Sequence, residues 1–239
     1  MPMKTFEPKA RLGKSFLFKN KTPATAEILI FGAIGVSWFE DFITAKEFSD
    51  QLNALDKNTK EIEVRINSPG GDVFEGWTIY NRLKQHPANV TVYVDGIAAS
   101  IASIIMLAGN KVIIGEGAQI MIHKASTGVW GNSIDMDNTS DRLNIIDDQL
   151  IATYSKKTGK DKSEIRDLLM KGDNWFTAEE AIAFGLVDET FENTMPIAAS
   201  LLERATWINK VPSTVLTRDT AVKADISNTL KNIENFIKK

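Results

Sequence analysis

The segment Ile62-Glu-Val-Arg-Ile-Asn-Ser-Pro-Gly-Gly71 decides the fold of this chain. Ile62 to Ile66 reads as a strand, and Asn67-Ser-Pro-Gly-Gly71 as the turn that ends it. Val73, Trp77, Tyr80 and Leu83 then recur on one side of a helix. Val90 to Val94 follows as a second strand, rich in β-branched residues and bounded by Asn89 and Gly96. Strand, turn, helix and strand in that order predict α/β layering with mostly parallel pairing.

Working outward, Glu27-Ile-Leu-Ile-Phe31 reads as an earlier strand, and residues 1–26, polar with lysine and proline, as a loosely held lead-in. Thr44 with Glu47 makes a capping-box pattern ahead of Phe48, Leu52 and Leu55, which predicts an amphipathic helix. Downstream, Ala98 to Leu107 is apolar all round and predicts a buried helix. Val112 to Ile114 and Gln119 to Ile122 are short apolar strands. After Lys124 the character changes. Ser126 to Asn132 is turn-like, and a long helix follows, carrying Leu143, Ile146, Leu150, Ile151 and Tyr154. Asp161 with Glu164 suggests an N-cap before Ile165, Leu168 and Leu169. Thr177 with Glu180 caps a short helix that stops at Gly185, and Leu186-Val187 reads as a last strand. Beyond about residue 190 the pattern weakens. The spacing of Leu230, Ile233, Phe236 and Ile237 predicts one face of a terminal helix, a stripe expected to pack on its own domain or on a sister subunit.

Composition narrows the function. The chain has 239 residues, 43% hydrophobic and 25% charged, with a net charge of -3. Its charges are interspersed, so there is no basic footprint for nucleic acid. It has no cysteine, which removes disulfides, thiolate catalysis and Cys-ligated zinc and suits a reducing compartment. His86 and His123 are the only histidines, too few for a multi-histidine metal site. The N-terminus lacks the apolar core of a signal peptide. The most apolar uncharged stretch, Gly96 to Asn110, falls short of the ~20 residues that span a bilayer. A soluble protein without a membrane segment is expected.

The chemistry concentrates in Val94-Asp-Gly-Ile-Ala-Ala-Ser-Ile-Ala102. Ser100 follows a strand, small residues surround it, and a helix starts beside it. Small neighbours let a carbonyl approach, and the helix N-terminus offers free N–H groups to an oxyanion. Taken alone, Ser100 reads first as a helix cap, and Ser103 one turn on is a rival of the same type. The Pro-Gly-Gly71 turn exposes N–H groups that can donate to an oxygen anion, although by itself it is an ordinary strand-to-helix turn. His123 ends the strand Gln119-Ile-Met-Ile122, where α/β folds collect functional groups. His86, before Pro87, suits a helix end, which leaves His123 as the base available to a serine. Among many acids, Asp173 sits in a turn before the helix capped by Thr177 and is undistinguished by position.

Together, Ile66-Asn-Ser-Pro-Gly-Gly71, Gly96-Ile-Ala-Ala-Ser-Ile101, Ile120-Met-Ile-His123 and Asp173-Asn-Trp-Phe-Thr-Ala-Glu-Glu-Ala181, running into Gly185-Leu-Val-Asp188, resemble the proteolytic subunit of the Clp protease. The resemblance covers roughly residues 28–188. It implies an α/β spiral of repeated β-β-α units with a projecting handle helix, a peptidase domain over residues 27–190 and a C-terminal extension over 191–239. It implies Ser100 as nucleophile, His123 as general base and Asp173 as orienting acid, with the N–H groups of Gly71 and Ile101 as oxyanion hole. It implies serine endopeptidase activity on peptides or unfolded proteins, without cofactor or metal. Stacked homo-oligomeric heptameric rings, an AAA+ ATPase unfoldase partner and a cytoplasmic location follow from the same likeness.

Three departures stand out. The segment before Ile28 does not match the family's axial loop. Asn174-Trp175 stands where basic residues are common. The extension is similar to phage- or prophage-encoded relatives linked to capsid maturation. Three other readings share parts of the pattern: a signal-peptide-peptidase-like enzyme with a lysine base, a crotonase-type acyl-CoA enzyme, and a catalytically silent scaffold subunit.

Overall fold

The computed structural model describes residues 16–22, 24–35 and 44–191. The chain divides into units 1–192 and 193–239. The second unit lies outside the described residues, and with it the terminal helix expected around Leu230.

The architecture is α/β. Strands β1 (Phe16–Thr22), β2 (Thr25–Phe31), β3 (Glu61–Ser68), β4 (Asn89–Ala99), β5 (Lys111–Gly115) and β8 (Glu189–Phe191) lie in the order β1-β2-β3-β4-β5-β8. The short strands β6 (Gln119–Ile122) and β7 (Asn174–Phe176) branch off it, with β6 on β4 and β7 on β6. Every pairing is parallel except β1 with β2 and β6 with β7. The helices are α1 (Ala45–Asn53), α2 (Val73–Gln85), α3 (Ile101–Met106), α4 (Ser133–Thr158), α5 (Lys162–Leu169) and α6 (Ala178–Phe184).

Alternation builds the core. Ile28 and Ile30 of β2, Ile62, Val64 and Ile66 of β3, and Val92 and Val94 of β4 are fully buried on one sheet face. Against that layer pack Phe48 and Leu52 of α1, as the periodicity predicts, and Leu83 of α2. Ile79, outside the predicted α2 stripe, is fully buried, whereas Val73, Trp77 and Tyr80 are half-buried at its margin. Thr44 caps α1 by accepting the Glu47 N–H. Thr177 and Glu180 close a reciprocal capping box on α6, and Gly185 ends that helix in the left-handed region. Asp161 stands at the N-cap of α5, but its side chain makes no capping bond.

Three local expectations are corrected. The lead-in over residues 1–26 contains β1, an edge strand paired antiparallel with β2. The helix expected from Ala98 starts at Ile101, because Ala98 and Ala99 still belong to β4. A run that is apolar on every side has no period to mark where strand gives way to helix. Leu186 and Val187 are buried, yet they form no strand. Their N–H groups turn back to Ala181 O at the end of α6, and the last strand begins at Glu189.

Strand β4 positions the site. Its first half, Thr91–Val94, pairs with β5, while Ile97–Ala99 pairs with β6. One strand thus serves two neighbours in turn and delivers its end between them. The long helix α4 differs in its two halves. Buried residues begin at Ile146, whereas Ile134 and Met136 near its start are exposed and Trp130 just before it is fully so. At 1.5 Å per residue such a helix spans about 39 Å, so its first turns project as a handle. Among the described residues, no helix is long and apolar enough to cross a membrane.

Candidate active site

Ser100 lies where β4 ends and α3 begins, with φ 54° and ψ -128°. It is the one non-glycine residue at positive φ among the described residues. Such a conformation costs about 1–3 kcal/mol and persists only where its surroundings enforce it. Here the Ser100 N–H donates to Met121 O at 2.9 Å, continuing the β4–β6 ladder by one residue. The side chain makes no capping bond to α3. The helix-cap explanation of this serine therefore fails, and its hydroxyl points elsewhere.

It points to His123. The imidazole Nε2 lies 2.7 Å from Ser100 Oγ. The register makes this meeting unavoidable: Ala99 pairs with Met121, so Ser100 faces the end of β6 where His123 follows Ile122. On the other side, β7 runs antiparallel to β6 and pairs Asn174 with Ile122. That brings Asp173, just before β7, beside the same imidazole, with Asp173 Oδ1 3.3 Å from His123 Nδ1. The three side chains proposed from sequence are thus brought together by two strand registers. An imidazole between a hydroxyl and a carboxylate can accept a proton on one nitrogen while donating from the other.

The two predicted N–H donors sit close by. Ile101 is the first residue of α3, so its N–H has no carbonyl one turn back. Gly71, at φ 147°, bridges to Ile34 from the turn after β3. Gly70, read from sequence only as part of the Pro-Gly-Gly71 turn, lies directly against the nucleophile. At φ 93°, a Cβ built on it would lie 2.7 Å from both Ala99 O and Ser100 Cβ. The double glycine signalled it, because only backbone without side chains can approach a nucleophile so closely.

The other candidates resolve cleanly. Ser103 is fully buried, and its hydroxyl lies 2.5 Å from Ser100 O and 2.7 Å from the Tyr154 hydroxyl. It ties α3 to α4 and does not face the site. Burial pushes the Tyr154 hydroxyl far above the usual phenol range, so it stays neutral. Replacing Tyr154 with phenylalanine should cost about 1 kcal/mol, the net worth of one hydrogen bond. Thermal unfolding of Tyr154→Phe should accordingly show a midpoint lower by about 2–4 °C. His86 caps the end of α2 and accepts the Ala88 N–H on Nδ1. Burial and the nearby Arg82 charge lower its pKa.

Beside Gly71 opens a cavity of 340 Å³. Val73, Phe74 and Val129 line it together with Leu143 and Ile146 of α4. The volume is that of a large amino-acid side chain. The loop that shapes it is anchored from below. The buried Asp147 of α4 accepts the Ala125 N–H at 2.8 Å and lies 3.1 Å from Lys124 Nζ.

Known proteins share this arrangement of chain. A model of the Clp protease family matches residues 35–194. The proteolytic subunit of the ATP-dependent Clp protease of Deinococcus radiodurans is 33% identical over 149 residues, which cover 60% of this chain and 72% of that protein. Proteolytic subunit 2 of Mycolicibacterium paratuberculosis is 32% identical over 142 residues, covering 57% and 69% of the two chains. A solved point mutant of ClpP1 from Listeria monocytogenes is similar with a TM-score of 0.61 and 26% identity, over 70% of this chain and 92% of that one.

Proposed function

The chain belongs to the Clp protease family and is a serine-type endopeptidase, and we propose that Ser100, His123 and Asp173 are its catalytic triad. The observation that carries this reading is the 2.7 Å contact between His123 Nε2 and the strained Ser100.

The steps follow from the positions of the atoms. Ser100 Oγ attacks the carbonyl carbon of the scissile peptide while its proton passes to His123 Nε2. The Nδ1–H donates to Asp173, which fixes the tautomer and steadies the imidazolium as it forms. The carbonyl oxygen, now an anion, accepts the N–H groups of Gly71 and Ile101, and the start of α3 adds its partial positive charge. The tetrahedral species collapses, the C–N bond breaks, and the imidazolium returns its proton to the leaving amine. Water then repeats the sequence on the acyl-enzyme, with His123 taking its proton, and restores Ser100. The cavity between Val73 and Leu143 receives a substrate side chain.

The relatives' names, with ATP-dependence in them, support wider proposals. The peptidase unit corresponds to residues 27–190 together with β1, and residues 191–239 are an extension of it. The subunits form stacked heptameric rings in the cytoplasm, so that substrate enters as peptide or as chain unfolded by an AAA+ ATPase. The exposed Trp130, Ile134 and Met136 at the start of α4 favour this assembly, since an apolar cluster on a projecting element calls for a partner surface. Assaying size-exclusion fractions with a fluorogenic peptide tests the reading. Activity should appear in the assembled fractions and be absent from monomer. A Trp130→Glu variant should shift the sedimentation coefficient from double to single rings. Full activity in wild-type monomer would overturn the chamber proposal.

A further inference from the structure

We propose that Asn174 is the positioning residue of the site, holding the Asp173 turn against the strand that ends at Ile122, one residue before His123. This rests on the reading that His123 and Asp173 act on Ser100. Asn174 is the first residue of β7 and pairs with Ile122, so it stands between the acid and the strand that bears the base. Its Nδ2 lies 2.6 Å from Gly172 O, 3.1 Å from Leu168 O and 3.4 Å from Ile122 O. One amide group therefore faces carbonyls from the turn before Asp173, from α5 and from the residue preceding His123. An amide nitrogen has two protons, so the two short bonds are made outright and the long one is shared.

Asp173 needs such a clasp. Its side chain is 60% exposed, and among the described residues His123 at 3.3 Å is its one ion-pair partner. Contacts of the carboxylate itself do little to fix it, and the adjoining Gly172, at φ 106°, gives the turn no stiffness. The position of Asp173 must come from the backbone on its other side, which is where Asn174 grips. The side chain also accounts for a departure in the sequence: an amide donor here ties three backbone segments that a long basic side chain would overreach. Asn174 touches no reacting atom. It acts through Asp173.

The isosteric change Asn174→Asp tests this, because it keeps the shape and turns acceptors toward three carbonyls. With a fluorogenic peptide, kcat should fall on the order of 10- to 100-fold, as small misplacements of catalytic groups do, while KM stays within about twofold. In an Asp173→Asn background the same change should cost no more than about twofold, since residues acting in one chain are not additive. Asn174→Ser, which keeps a donor of shorter reach, should fall between wild type and Asn174→Asp, and carries the same cycle if Asn174→Asp does not assemble. Unchanged kcat in both Asn174 variants, or an equal loss in both backgrounds, would overturn the positioning role while leaving the triad standing. An Asp173→Asn protein as active as wild type would instead overturn the triad assignment beneath it.

Discussion

Replacing Ser100 with alanine is expected to abolish peptide hydrolysis, with a fall in kcat on the order of 10⁴-fold or more and little change in the folded state. The size follows from chemistry, since among the described residues no other hydroxyl lies against His123. Ser103 is buried and engaged with Ser100 O and Tyr154. The small structural effect also follows. Ser100 Oγ makes no capping bond to α3 and lies 2.7 Å from His123 Nε2. His123→Ala should lose about as much, and the double variant little more than either alone, because a nucleophile without its base and a base without its nucleophile fail at the same step. Fluorogenic peptide turnover with a matched thermal melt checks both. Retained turnover in Ser100→Ala would move the chemistry away from this serine altogether.

Gly70→Ala is expected to have the other large effect. The new methyl would meet Ala99 O and Ser100 Cβ at 2.7 Å and Ile101 N at 3.2 Å, at a backbone φ of 93° that alanine rarely adopts. The strained conformation costs about 1–3 kcal/mol. Overpacking typically adds about 1–3 kcal/mol. The atoms that must yield belong to the nucleophile and to a proposed oxyanion donor, so activity should suffer beyond stability. A melt should show the midpoint lower by several degrees, and the protein still folded at 25 °C should turn over peptide at least about 100-fold more slowly, the loss expected of one oxyanion donor. Near-normal turnover in Gly70→Ala would mean that the turn after β3 does not abut the site.

What was legible in the sequence, and what was not, divides along physical lines. Buried β-strands and amphipathic helices write their period into the chain, so Ile62–Ile66, Val90–Val94 and the capped helices after Thr44 and Thr177 were readable. Ser100 alone reads first as a helix cap and His123 as one histidine at a strand end; their proposed roles come from the set of motifs that resembles the family. Asp173 came from family likeness, because an exposed turn aspartate has no local signature. The strained φ of Ser100 left no trace, since Ala-Ala-Ser-Ile contains no glycine to announce it. Nor did the divided pairing of β4 or the β6–β7 register, which are long-range agreements between strands and not properties of either one. Strand β1 has a weak signature because an edge strand needs one partner only and tolerates polar residues such as Asn20 and Lys21. Asn174 was seen as a departure from a pattern; its part became visible only with the carbonyls around its amide in place.

The central claim is that Ser100 is an activated nucleophile. It is tested most directly by treating the assembled protein with a fluorophosphonate probe and mapping the modified peptide in wild type, Ser100→Ala and His123→Ala. Modification of Ser100 in wild type, absent from Ser100→Ala and strongly slowed in His123→Ala, is the predicted result. A wild-type protein that assembles but stays unmodified, or carries the probe on another residue, would contradict it.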